Sequence, residues 1–132
     1  MKYQSIKTRK GNLTLIETGI IKLTLKENAE WNLDDAMETH KANLKLSNGG
    51  KFCVLLNASH FFIPTNEAQA FIASKECTDY RVAAAYVVKN LGLQLLGNLF
   101  IRTFSKNATR IFKTEEAALK WLRVEYKNAI AA

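Results

Sequence analysis

The sequence predicts a single α/β domain on one mixed β-sheet of about five strands with about four helices. Three observations carry this. After residue 50, short apolar runs alternate with segments of helical period, the pattern of strand–helix–strand units joined by right-handed crossovers into a largely parallel half-sheet. Between residues 13 and 25, two β-branched runs flank Thr18-Gly19, as in an antiparallel hairpin. Finally, 132 residues hold one domain with one core, and a lone proline with six glycines argues against long linkers. The domain is expected to occupy residues 1–132, with its core over about 13–124.

The elements follow in order. A turn is predicted over Lys7–Asn12, with a weaker strand before it. Leu13–Ile16 forms the first hairpin strand and Ile20–Leu25 the second, with Ile21, Leu23 and Leu25 on one face. A helix is expected after Asn32, whose side chain can accept backbone N–H bonds, while Asp34 and Asp35 suit the positive end of the helix dipole. Leu33, Ala36, Met37, His40 and Leu44 share the face expected to turn inward, and Ser47-Asn48-Gly49-Gly50 ends this helix. Lys51–Asn57 is a continuous apolar run, as a central strand covered on both faces requires.

Pro64-Thr65-Asn66 opens a helix predicted to run to about Cys77, with Ala68, Phe71, Ile72 and Lys75 on one face. Val82–Val88 is a second buried strand. Leu91–Lys106 is predicted as a helix with Leu95, Leu96, Leu99, Phe100 and Phe104 in the core. Ile111-Phe112 forms a short strand. Thr114 caps a last helix with Glu115 and Glu116 in its first turn and Ala118, Trp121 and Leu122 inward; the tail from Tyr126 is expected to fray.

The net charge is +7, with eight Lys/Arg against six Asp/Glu in residues 1–50 and eleven against six in residues 51–132. A basic surface favours acidic partners, but no run of five or six basic residues marks a nucleic-acid tail. With no recognisable module or basic helix face, nucleic acid is not an expected partner. Cys53 and Cys77 make no disulfide framework, and Cys53 lies in a buried-strand pattern. Residues 1–11 carry four basic residues without the apolar stretch of a signal peptide, and Leu91–Ile101 is about half the length that spans a bilayer. A reducing, cytoplasmic location without membrane insertion is expected.

No metal or cofactor is implied. There is no His-x-x-x-His, Cys-x-x-Cys or phosphate-binding glycine loop, and Gly92 and Gly97 are expected to serve close helix packing. Of the two histidines, His40 reads as a packed residue on the apolar helix face. His60 follows Ser59 in the loop after a parallel-type strand, where ligands bind in open α/β sheets, but sequence adjacency does not make a nucleophile–base pair. No catalytic residues are therefore assigned. In Leu91–Phe104 the apolar residues wrap more than half the helix, beyond what one sheet face covers. Leu93, Phe100 and Phe104 are the expected contacts with a second copy, a protein partner or an apolar ligand, and Arg102 and Lys106 flank them where an acidic head group could be held.

The segments Lys51–Asn57, Val82–Val88 and Arg110–Leu122, in that order, resemble the STAS superfamily of SpoIIAA-like proteins, and most of all the small bacterial STAS/CRAL-TRIO-like proteins of unknown function. The last segment is the most distinctive, with Phe112, a short spacer, Glu115-Glu116-Ala117 and Trp121-Leu122. The resemblance implies a protein-interaction or regulatory domain. It also implies a phosphoacceptor-like turn after the central strand, comprising Asn57, Ser59 and Thr65. Thr65 stands where anti-sigma antagonists carry their serine, but Pro64 replaces the aspartate and Glu67 the glycine of that turn, and Glu67 would repel a phosphate. From its own residues, Thr65 is the N-cap of the next helix. The overall expectation is a non-enzymatic interaction domain acting as a homodimer. An apolar-ligand or lipid carrier and an enzyme using Ser59 and His60 are the alternatives.

Overall fold

The computed structural model describes residues 4–26, 29–57, 62–88 and 108–131. Six strands form one sheet in the order β1 (Gln4–Lys7), β2 (Gly11–Glu17), β3 (Ile20–Leu25), β5 (Phe52–Asn57), β7 (Arg81–Val87) and β8 (Ala108–Phe112). The β1–β2 and β2–β3 pairs are antiparallel, and the β3–β5, β5–β7 and β7–β8 pairs are parallel. The sixth strand comes from the weak N-terminal segment, whose Gln4 pairs with Leu15 on β2. A separate two-stranded parallel ribbon joins β4 (Ala29–Trp31) to β6 (Phe62–Pro64), so Pro64 ends a strand where the sequence suggested a helix start.

Side-chain alternation divides the sheet into two faces. On one, Ile21, Val54 and Ala84 lie in one row, with Leu23, Leu56 and Tyr86 in the next. Helix α1 (Leu33–Leu46) covers this face, with Trp31, Ala42 and Leu46 packed on Leu13, Leu23, Phe52 and Val54. On the other, Ile20, Cys53, Leu55, Ala83 and Ala85 face helix α4 (Glu115–Ala131) through Ala118 and Leu122. The small Cys53, Ala83 and Ala85 let α4 lie close to the strands.

Helix α1 starts as the sequence requires. Asp35 N–H donates to Asn32 Oδ1 at 3.0 Å, and Asn32 N–H donates to Asp35 Oδ2 at 3.0 Å, a reciprocal capping box. Its inward face is rotated from the predicted one. Ala36, His40, Asn43 and Leu46 are buried, while Leu33 and Met37 are 38% and 37% exposed. The burial of Asp35 accounts for the rotation, because its carboxylate also takes Arg9 Nη2 at 2.6 Å and Lys10 Nζ at 2.8 Å from the β1–β2 turn. Burial raises the Asp35 carboxyl, but Lys10, the Asn32 N–H and Arg9 together outweigh it and hold the group below its ordinary value.

Asp35→Ala is therefore expected to lower stability at pH 7 by about 1–3 kcal/mol, the usual effect of losing hydrogen bonds to a charged group. A depressed carboxyl stabilises above its unfolded value, about 3.9, and the contribution disappears as pH falls through the folded value. Urea unfolding of wild type and variant should accordingly converge at acid pH. A difference that persists undiminished at pH 2 would contradict this account.

The second helical region also departs from expectation. Helix α2 (Asn66–Ile72) stops before Cys77, and a short helix α3 (Lys75–Thr78) follows. Ser74 causes the break, with its hydroxyl donating to the Phe71 carbonyl at 2.5 Å and its backbone entering α3 in extended conformation. Helix α4 continues to Ala131 where fraying was expected from Tyr126, because the Tyr126 ring lies on Gly19.

Candidate functional site

The α1 face of the sheet is not fully packed. A cavity of about 110 Å³ lies between the strands, α1 and the α2–α3 segment. Phe52, Val54, Leu56 and Ala84 form its floor, with Trp31 at one wall. Thr39, His40 and Asn43 of α1 and Gln69 and Ile72 of α2 line it from above. The opening follows from the strand sequence. Ala84 sits between Val54 and Thr109 in register and offers only a methyl group to this face.

Two of the lining residues, His40 and Asn43, each carry a buried side-chain atom with no hydrogen-bond partner among the described residues. His40 and Asn43 lie three residues apart on one face of α1 and are only 6% and 7% exposed. Among the described residues, neither His40 Nε2 nor Asn43 Oδ1 has a hydrogen-bond partner. Glu76 Oε2 is 4.0 Å from His40 Nε2, beyond hydrogen-bond reach. The imidazole is held edge-on to Phe71 with ring centroids 5.7 Å apart and rests against Tyr80 at 6.2 Å. Two further polar lining groups are engaged: Thr39 Oγ1 donates to Asp35 O at 2.9 Å, and Gln69 Nε2 to Pro64 O at 2.9 Å. A buried polar group left unsatisfied costs about 1–3 kcal/mol, so two on one face of a cavity call for an explanation.

Burial favours the neutral forms of the His40, Cys77 and Tyr86 side chains in the lining. Burial lowers His40, opposed by Glu76 and reinforced by Arg81. Burial raises the Cys77 thiol and the Tyr86 phenol. Arg81 is the cation among the described lining residues, and its Nη2 donates to the Ile72 carbonyl at 3.0 Å.

The lowered His40 fixes the sign of a pH effect. Below about pH 6.5 the unfolded chain takes up a proton that folded His40 resists, so stability falls as pH drops toward the folded value. Thermal unfolding is expected to show a lower midpoint at pH 5.5 than at pH 7.5, and His40→Gln to flatten that difference. An equal slope in the variant would contradict the assignment.

Of the residues singled out in the sequence, Asn57 ends β5 half-buried, and Thr65 caps α2 by accepting the Ala68 N–H at 3.2 Å. Ser59, His60, Leu93, Phe100, Arg102, Phe104 and Lys106 lie outside the described residues, as does the predicted helix 91–106. The sequence pattern places an apolar ligand against that helix, whereas the cavity is built on α1. Asn43, Trp31 and Gln69 were missed. The signal for Asn43 was its position three residues after His40 on an inward helix face. Among the described residues, no three of His, Cys, Asp and Glu converge as a metal site, and no helix is long and apolar enough to cross a membrane.

Residues 14–126 match a domain of unknown function, DUF7793. The chain belongs to the DUF7793 family. The family match runs from within β2 to Tyr126 of α4 and so includes both helix-covered sheet faces. This DUF7793 chain is similar in fold to an uncharacterised protein of the DUF3478 family from Shewanella loihica PV-4, described as having a SpoIIAA-like fold. The TM-score is 0.51 at 12% identity, covering 92% of each chain. The fold is accordingly SpoIIAA-like, as the three sequence segments implied. No curated protein matches this DUF7793 sequence.

Proposed function

We propose that this chain is a non-enzymatic binding domain that holds a small, mostly apolar molecule in the cavity beneath α1. The observation that carries the reading is the pairing of an apolar cavity with two lining residues, His40 and Asn43, whose buried Nε2 and Oδ1 have no partner among the described residues. Ligand sites have this make-up, an apolar lining with a few placed polar groups. The volume of about 110 Å³ suits a one-ring molecule rather than an acyl chain. Drug-sized sites span roughly 300–1,000 Å³, whereas an apolar cavity of about 150 Å³ takes up benzene.

Binding is favoured over catalysis by the chemistry of the lining. His40 is beyond hydrogen-bond reach of Glu76, and Cys77 is held as the weakly nucleophilic thiol. The homodimer expected from Leu93, Phe100 and Phe104 is a reading of the sequence pattern alone.

A screen of one-ring compounds by protein NMR tests the reading. Binders are expected to shift the indole N–H signal of Trp31, which lines the cavity, and to leave that of Trp121 on the opposite sheet face in place. A screen in which nothing moves Trp31 would overturn it.

A further inference from the structure

We propose that the head group recognised in this cavity is an uncharged hydroxyl, bound between Asn43 and His40, so that the ligand class is a one-ring alcohol or phenol. The inference rests on reading the cavity as a ligand site and adds the chemistry of what is read there. Residues three apart on a helix have Cβ atoms about 5–6 Å apart, and His40 and Asn43 both line the cavity, so one ligand group can be placed beside both. Both unpartnered atoms are more than nine-tenths buried, so bulk water does not satisfy them.

The alternatives fit less well. A hydrocarbon fills the apolar floor and leaves both polar atoms unsatisfied. A carboxylate presents only acceptors, whereas Asn43 Oδ1 needs a donor and His40 is held neutral by its surroundings. An ammonium group would lose its hydration against Phe52, Val54 and Leu56 and meet the positive charge of Arg81 on the same lining. A hydroxyl both donates and accepts, so it serves either orientation of the Asn43 amide and either tautomer of His40.

The test compares phenol, toluene and benzoate as matched one-ring probes, titrated into wild type and Asn43→Leu while following the Trp31 indole signal. Phenol is expected to bind wild type at least about tenfold more tightly than toluene, the ratio set by leaving buried polar groups unpaired. Asn43→Leu should bring phenol and toluene close to equal affinity while toluene still binds. His40→Gln, which keeps a polar group at that position, should retain a preference for phenol and provides a second variant. Toluene binding wild type as tightly as phenol would overturn the hydroxyl assignment and leave the cavity reading standing. Benzoate binding most tightly would overturn it in favour of an anion held at Arg81. No response of Trp31 to any of the three would remove the cavity reading and this inference with it.

Discussion

Leu122→Ala is expected to lower the unfolding free energy by about 2–5 kcal/mol, toward the upper half of that range. Leu122 is fully buried and meets Cys53, Leu55, Ala83 and Ala85 on the α4 face of the sheet. The cost of such a truncation depends on how far neighbours collapse into the space left behind. Here they cannot move far. Apart from Leu55 the facing side chains are small, and they stand on β5 and β7, each hydrogen-bonded on both sides within the parallel half of the sheet. Cys53 Sγ also lies 3.8 Å from the Leu122 carbonyl, and burial pushes that thiol up to about 12, as expected of a dry core. Urea unfolding measures the effect, with Val124→Ala as the contrast. Val124 is 55% exposed on the same helix, and its truncation should stay within about 0.5 kcal/mol. A loss below about 1 kcal/mol for Leu122→Ala would contradict the packing described.

Gly19→Ala carries the second large effect, for two separable reasons. Gly19 has φ +80°, a left-handed conformation costing an L-residue about 1–2 kcal/mol. A Cβ there would also stand 2.3 Å from Cε1 and Cζ of Tyr126, an overlap that the Tyr126 ring, α4 or the hairpin turn must shift to relieve. Overpacking of this kind adds about 1–3 kcal/mol. Gly49 separates the two contributions, since it has φ +74° but a Cβ added there would meet nothing within 4 Å. Gly49→Ala should therefore show the conformational cost alone. Tyr126→Ala in the Gly19→Ala background should recover the overlap component, and a double-mutant cycle measures it. Equal losses for Gly19→Ala and Gly49→Ala would show that the ring contact contributes nothing.

The strands and their order were largely legible because their signals are local. The alternation of Ile20–Leu25, the unbroken apolar runs of β5 and β7 and the turn at Thr18-Gly19 each specify an element within a few residues. The capping of α1 by Asn32 was legible for the same reason. What was missed depends on contacts between distant segments. Leu33 and Met37 have the right spacing for an inward face, yet Asp35 turns the helix by drawing Arg9 and Lys10 onto itself. The tail after Tyr126 has no strong helical signal, but the Tyr126–Gly19 contact and the bidentate Arg123–Glu17 pair, at 2.7 and 2.9 Å, tie α4 to the N-terminal hairpin.

The candidate site was legible only in part. His40 stood out as a histidine on an apolar face and was read as packed, which the buried ring against Phe71 agrees with. That its Nε2 lacks a partner among the described residues depends on the elements packed around it, and no local pattern encodes it. The cavity itself arises from a deficit of volume at Ala84. In the run Ala83-Ala84-Ala85, the first and third methyls meet α4 and close one core, and the second faces α1 across open space. One repeated residue thus has opposite consequences on the two faces.

The measurement that tests the ligand-site account most directly is the unfolding midpoint of Ala84→Leu, with and without saturating phenol, beside wild type. Wild type is expected to gain stability from phenol through binding to the folded state alone. Ala84→Leu fills the cavity with its own side chain, each buried methylene contributing about 0.8 kcal/mol. The variant should therefore start at least as stable as wild type and gain nothing from phenol. A variant that is markedly destabilised would show that the space beneath α1 is not there to be filled, and one that gains as much from phenol as wild type would place the ligand elsewhere.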